Sequence, residues 1–314
     1  MSRPDSPEIS IVTTLYNSSS HLREFYQRMT KVAVESYDSH EFILVNDGSV
    51  DDSLAIALDL QKNDPRLKII DLSRNFGQHE ALMAGIRATC GEMILLIACD
   101  LEEKPEWLPA FREELSRQEA DVIYGVHKKK NEGFFKKQTS LLFYKVFNWL
   151  SSVKLTRNII LFRLMKSNYV KSLLQFQETV LFLPGIMELA GHKQSPLYVD
   201  KSYKGSSEYR LKKLLYMAID AITSFSTRPL TLLMLTGLLA LGLSFLAVLV
   251  TVILYFNGNE LPYGTLFIIY SIWSGAGLLL SGLGMVGLYA SRALIEAKRR
   301  PQVVVKEVYV YKED

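Results

Sequence analysis

Cysteine is nearly absent from this chain of 314 residues: Cys90 and Cys99 are the two present. They show no metal-ligand spacing and no pattern of a disulfide framework, so the chain is not a small covalently stapled scaffold. Charge of one sign is also missing. Thirty-six Lys and Arg against thirty-three Asp and Glu leave a formal net charge of +3, too small an excess to argue for a nucleic-acid partner. There is no glycine-rich phosphate loop of the P-loop or dinucleotide type, so phosphate binding must come from metal, basic residues or isolated amides. No Ser-His-Asp or Cys-His arrangement is visible, and His40, His79 and His192 are scattered and read as structural. Residues 1–7 are polar, which is not the pattern of a signal peptide. Internal repeats and low-complexity segments are absent.

What is abundant is apolar sequence near the end. Two runs, 230–256 and 265–290, are separated by a polar link at 257–263. Each exceeds the roughly 20 residues a helix needs to cross a bilayer. Arg210, Lys212, Lys213 and Arg228 precede the first run; Arg292, Lys298, Arg299 and Arg300 follow the second; the link carries Glu260 and no Lys or Arg. By the positive-inside rule this predicts a transmembrane hairpin with both chain ends cytoplasmic, the alternative being a buried core hairpin. Gly277, Gly282, Gly284 and Gly287 permit close helix contact along the second run, compatible with a homo-oligomer or with packing inside one hairpin.

The first 200 residues read differently. Apolar runs at 9–15, 41–46, 67–72, 93–98 and 122–126 predict strands, and the patterns at 51–61, 77–88 and 107–117 predict helices between them. Alternating strands and helices imply an α/β fold with a mainly parallel sheet covered on both faces. Ligands bind beyond the carboxyl ends of such strands. Asp47, Arg74-Asn75 and Asp100 all fall at such ends, so three strand exits converge on polar residues. Asp100 and Glu102, one residue apart, form a pair able to hold Mg²⁺ or Mn²⁺ against a diphosphate, although most such triplets are solvated turn residues. A basic cluster follows at 127–130, and residues 134–150 mix aromatics with Lys136, Lys137 and Lys145. That segment and 209–225 read as helices in the headgroup plane or as amphipathic helices packed on the head. Residues 303–311 alternate like a half-buried strand with no evident partner.

Four segments occur in order: SIVTTLYNS at 10–18, VNDGSVDDS at 45–53, LSRNFGQHEAL at 72–82 and IACDLEEKP at 97–105. Together they resemble the inverting family-2 glycosyltransferases of the GT-A fold. Within these the chain is most similar to polyprenyl-phosphate glycosyltransferases, the dolichyl-phosphate mannose synthases and bacterial undecaprenyl-phosphate glucosyltransferases. The resemblance implies a GT-A head, with a mostly parallel, Rossmann-like sheet at 1–204, a juxtamembrane helix at 205–229, a two-helix hairpin at 230–291 and a tail at 292–314. It implies transfer of a sugar from a nucleotide sugar to undecaprenyl or polyprenyl phosphate, with inversion, for O-antigen or other cell-envelope glycans. By this resemblance Tyr16, Asp47, Arg74, Asn75 and Cys99 bind the donor, Asp100 and Glu102 hold the metal, and Asp100 and Arg163 are catalytic. Lys128, Lys136, Lys137, Lys201 and Ser207 are expected at the acceptor phosphate, and Tyr209 matches a juxtamembrane tyrosine. The chain departs from the pattern at Ser18, Ala98, Leu161, Ser202 and Glu208, where the family carries glutamate, aspartate, aspartate, arginine and lysine. Ala98 and Leu161 motivate the alternative of a non-catalytic or altered-specificity homologue acting as a membrane partner.

Overall fold

The computed structural model describes residues 6–128, 159–176, 183–200, 228–256 and 264–311. Among these the first unit is an eight-stranded mixed sheet with helices packed on it, and the second is a pair of long helices.

The sheet is built outward from β1 (Ile9–Leu15). Next in sequence come α1 (Leu22–Ser36), β2 (His40–Asn46), α2 (Ser53–Gln61), β3 (Leu67–Leu72), α3 (Gln78–Arg87) and β4 (Met93–Leu96). β1 pairs in parallel with β2 on one side and β4 on the other, and β2 pairs in parallel with β3. The four carboxyl ends therefore lie along one edge of the sheet. A short 3₁₀ turn (Pro105–Trp107) leads into α4 (Leu108–Arg117) and β5 (Val122–His127).

Period-two alternation divides the strand side chains between two layers. Ile9, Ile11, Phe42, Leu44 and Ile69 join Leu22, Phe25 and Met29 of α1 and Phe111 of α4 in one buried core. Val12 and Val45 point the other way, against α3, where Gly85 sits so close that a Cβ there would lie 2.5 Å from Val12 Cγ1. The absence of a side chain at Gly85 is what lets that helix approach the sheet.

The flanks are not parallel. β6 (Ile159–Lys166) runs antiparallel to both β4 and β5, and β7 (Gln194–Val199) runs parallel to β5 at the sheet edge. Between β6 and β7 lie α5 (Ser167–Leu173) and α6 (Leu183–Leu189). At the far edge β8 (Val305–Val310) pairs antiparallel with β3, giving the order β7-β5-β6-β4-β1-β2-β3-β8. The tail segment read as half-buried from its alternation is thus an edge strand of the same sheet. Its Lys306 ammonium stands 3.2 Å from the buried Asp71 carboxylate.

The second unit contains α7 (Arg228–Phe256) and α8 (Gly264–Ala297). The second helix continues seven residues past the end of the apolar run at 290. A Cβ at Gly282 would rest 3.6 Å from Leu233 Cδ2, ordinary contact, so the two helices pack on each other at small residues. Among the described residues one helical stretch, Gly275–Ala297, is long and apolar enough to cross a membrane. The segments at 134–150 and 209–225, expected to be interfacial helices, lie outside the described residues.

Candidate active site

A cleft of about 320 Å³ opens at the carboxyl ends of the four parallel strands. The β1 exit contributes Thr14, Tyr16 and Ser18, and the β2 exit contributes Asp47. The segment after β3 adds Asn75, Gly77 and Gln78, and the β4 exit adds Ala98, Cys99 and Asp100.

The β1 and β2 exits are stapled by short polar side chains. The Asn17 amide donates to Ser49 Oγ at 3.2 Å, the Val50 amide to Asn17 Oδ1 at 3.2 Å, and the Ser18 amide to Ser53 Oγ at 2.7 Å. Asn17 adopts φ 53°, a left-handed conformation that asparagine tolerates better than most residues. Asp51 accepts from the amides of Ser19 and Ser53 and from Ser53 Oγ. Burial works against its charge, but these hydrogen bonds bring the carboxyl down to about 2.

Asp47 is buried, and its carboxylate is already engaged. Oδ1 accepts the Phe76 amide at 2.7 Å and Oδ2 the Gly77 amide at 3.0 Å, while its backbone carbonyl accepts Asn75 Nδ2 at 3.2 Å. The next residue explains why the two loops can meet. Gly48 has φ +64°, and a Cβ there would fall 2.4 Å from the Asn75 amide nitrogen. The Asp-Gly pair thus clamps the 74–77 segment over the β2 exit. Arg74 does not line the cleft: its guanidinium stacks 4.1 Å over the Phe76 ring and bonds the Asn75 carbonyl.

At the β4 exit Asp100 is exposed on the cleft wall, and its Oδ1 accepts the Glu102 amide at 3.0 Å. Glu102 is half-buried and is not among the lining residues. No group of three or more His, Cys, Asp or Glu able to hold a metal ion occurs among the described residues. The donor set is two carboxylates on one turn. It fits a hard cation that takes one or two protein carboxylates and completes its shell from a diphosphate and water.

Two carboxyls near the cleft were not singled out as site residues from the sequence. Glu103 is buried, accepting the amides of Ala98 at 2.9 Å and Phe162 at 3.0 Å. Burial pushes its carboxyl up to about 7 against the pull of those amides, and the Asp100 charge adds to the rise. Glu80, half-buried in the first turn of α3, is raised by burial and by the nearby Asp47 charge. An acidic turn after β4 was visible; its burial depends on Phe162, far along the chain.

The remaining expectations divide. Arg163 is off the cleft wall. Alternation along β6 sends Phe162 into the core, 4.4 Å from the Phe111 ring, and Arg163 to the opposite face, 5.3 Å from the Tyr124 ring. There burial depresses the guanidinium, Tyr169 is a hydrogen-bonding partner, and Nη1 has no partner among the described residues. Lys128, at the end of β5, is 3.1 Å from Asp200. Lys136, Lys137, Lys201 and Ser207, expected at the acceptor phosphate, and Ser202, Glu208 and Tyr209 lie outside the described residues.

The glycosyl transferase family 2 model matches residues 10–178. A Bacillus subtilis (strain 168) glycosyltransferase, YkcC, is 35% identical over 307 residues, covering 96% of this chain and 94% of the relative. A Mycobacterium tuberculosis protein described as a glycosyltransferase is 35% identical over 301 residues, covering 96% and 88%. The bactoprenol glucosyl transferase of Shigella phage SfV is 30% identical over 303 residues, covering 95% and 98%.

Proposed function

We propose that this chain, which belongs to glycosyl transferase family 2 and is a glycosyltransferase, moves a sugar from a nucleotide sugar to a polyprenyl phosphate at a membrane. The observation that carries the donor side is the cleft at four strand exits with an exposed aspartate on its wall and a clamped loop above it. Support for the acceptor side comes from the similarity to a bactoprenol glucosyl transferase and from the two long apolar helices. The outward-facing leucines of α8, with Leu279 and Leu280 each 70% exposed, need an apolar solvent.

In this reading α7 and α8 both cross the inner membrane and both chain ends are cytoplasmic, so the head meets a lipid-linked acceptor at the cytoplasmic surface. Residues 1–204, with β8 completing the sheet, serve as a GT-A donor domain, and the product feeds cell-envelope glycan synthesis such as that of O-antigen.

The acceptor phosphate attacks the anomeric carbon from the face opposite the nucleotide, and the nucleoside diphosphate leaves, giving inversion. A phosphate is already an anion at neutral pH, so the site need not supply a strong base, which accommodates Leu161. Tyr16, Asn75 and the Cys99 wall hold the donor, with Asp47 acting through the 74–77 segment that it orients. Asp100 and Glu102 are the residues for a Mg²⁺ or Mn²⁺ ion, which when bound neutralises charge on the departing diphosphate. Lys128, with Lys136, Lys137, Lys201 and Ser207, is assigned to the acceptor phosphate. The chain's own contribution is positioning and fixed electrostatics. Arg163 is left out of this machinery because it is buried and does not line the cleft.

The test offers full-length protein in detergent a panel of UDP-, GDP- and dTDP-sugars with undecaprenyl phosphate and Mg²⁺ or Mn²⁺, following lipid product by mass spectrometry. A lipid-phosphate sugar from one donor supports the reading. Transfer from a donor to water or to a soluble acceptor, with none to the lipid, overturns the acceptor assignment.

A further inference from the structure

The loop that carries Asp100 is closed by the side chain of its last residue. β4 makes its final rung when the Ile97 amide donates to the Val12 carbonyl at 3.2 Å. Beyond it β4 leaves β6: the ladder between them runs from Met93–Lys166 to Leu96–Arg163 and stops. Two amides at that fork, of Ala98 just past the end of β4 and of Phe162 on β6, lie beyond the last pair of that ladder. Buried amides require acceptors. Glu103 supplies both, with Oε2 on Ala98 at 2.9 Å and Oε1 on Phe162 at 3.0 Å.

One carboxylate therefore stands in for the missing rung. It ties residue 98 to residue 103, making a ring of the backbone between them, and pins that ring to β6. Inside the ring, Asp100 Oδ1 accepts the Glu102 amide, Leu101 is held at φ 63°, and Cys99 Sγ donates to the Thr14 carbonyl at 3.3 Å. A leucine in the left-handed region persists only where its surroundings over-determine it. The Glu103 bridge is what closes those surroundings.

We propose that Glu103 is a positioning residue that sets the relative placement of the Asp100 and Glu102 carboxylates for a divalent cation and the donor diphosphate. The proposal rests on the reading of the cleft as the nucleotide-sugar site. Glu103 touches neither substrate nor cation and acts through the loop. A glutamine has the same shape but one acceptor oxygen, so it can satisfy one of the two amides and must turn an NH₂ toward the other.

The experiment is calorimetric titration of full-length protein in detergent with UDP, GDP and dTDP, each with Mn²⁺ and with EDTA, for wild type, Glu103→Gln and Asp100→Asn. The expected result for Glu103→Gln is native circular dichroism, unchanged metal-free affinity, and a loss of roughly tenfold or more in the Mn²⁺-dependent affinity, as for other residues that orient ligands. A purely structural role would not separate the two affinities. If Asp100→Asn abolishes the Mn²⁺ effect while Glu103→Gln leaves it intact, the positioning proposal falls and the donor-site reading stands. If the wild type binds no nucleoside diphosphate in either condition, both fall. Should Glu103→Gln not fold, Glu103→Asp, which keeps the charge but cannot span both amides, carries the same expectation. Loss of folding in both variants assigns Glu103 to sheet stability alone and overturns the proposal.

Discussion

Replacing Asp47 with asparagine separates a structural clamp from a ligand contact. In the free protein the buried Asp47 carboxylate accepts two backbone amides, of Phe76 at 2.7 Å and Gly77 at 3.0 Å. Asparagine keeps one oxygen and turns an NH₂ toward the second amide. One hydrogen bond to a charged group, about 1.5–3 kcal/mol, is lost, and the other weakens from charged to neutral, about 1 kcal/mol more. The sum is about 3 kcal/mol. At roughly 2–4 °C per kcal/mol for a domain of 150–250 residues, the unfolding midpoint should fall by about 6–12 °C. The assay is thermal unfolding of detergent-solubilised protein followed by circular dichroism, with no nucleotide present. That condition matters because a carboxylate whose job is only to hold the donor loses nothing when no donor is there. A midpoint within 2 °C of wild type, in a variant whose donor affinity has dropped, would refute the clamp and restore Asp47 as a direct donor ligand.

Other perturbations follow from the same geometry. Gly48→Ala should cost about 2–5 kcal/mol, from a left-handed backbone (about 1–2) and forced separation of two loops (about 1–3), read as a lowered unfolding midpoint; wild-type stability would mean the loops part freely. Asp100→Asn should lower cation-dependent transfer by at least about 100-fold at fixed Mn²⁺ and leave the unfolding midpoint alone; unchanged turnover would refute the metal assignment. Asp51 has a folded value of about 2 against an ordinary 3.8. It therefore stabilises the fold above its ordinary value, and that contribution disappears as pH falls between the two. Asp51→Asn should flatten the stability profile in that window, measured by denaturant midpoints across pH; an unaltered slope would remove Asp51 from the account.

The parallel half of the sheet could be read directly, because β1 to β4 are short, largely apolar runs ending in polar turns, a pattern local to each segment. β6 and β7 could not. IILFRLMK in β6 is apolar without alternation, so periodicity does not separate a buried strand from a helix segment. QSPLYV in β7 carries Pro196, which argues against a central strand but suits the sheet edge where it is found. The site divides in the same way. Asp47 and Asp100 at strand ends follow from local sequence. Glu103 looked like any other member of an acidic turn, since its partner Phe162 comes from a strand the sequence did not announce. Arg163 was placed by resemblance in a Phe-Arg pair. Once β6 is a strand, adjacent residues face opposite sides, so Phe162 in the core sends Arg163 to the other face, where it is buried beside Tyr124 and does not line the cleft.

The edge strand β8 changes what can be asked of a truncated head. Deleting everything from residue 230 is the obvious way to release the sheet from the apolar helices, but it also removes β8, which belongs to the sheet. β8 is bound there by more than its ladder. The Ser73 amide donates to the Val304 carbonyl at 2.9 Å, Gln61 Nε2 to the Tyr309 carbonyl at 2.9 Å, and Arg87 to Gln302 at 2.6 Å. Lys306 provides the cation beside Asp71, whose other oxygen accepts Asn46 Nδ2, one residue before Asp47. Without β8 the β3 edge bares a row of backbone donors and acceptors, and Asp71 keeps its burial without its counter-charge. A chain ended at residue 299 should therefore show faster hydrogen exchange in β3 and a lower unfolding midpoint, and should self-associate more readily than the full chain. Protection of β3 at the full-chain level in that variant would mean that β8 merely lies along the edge without supporting it.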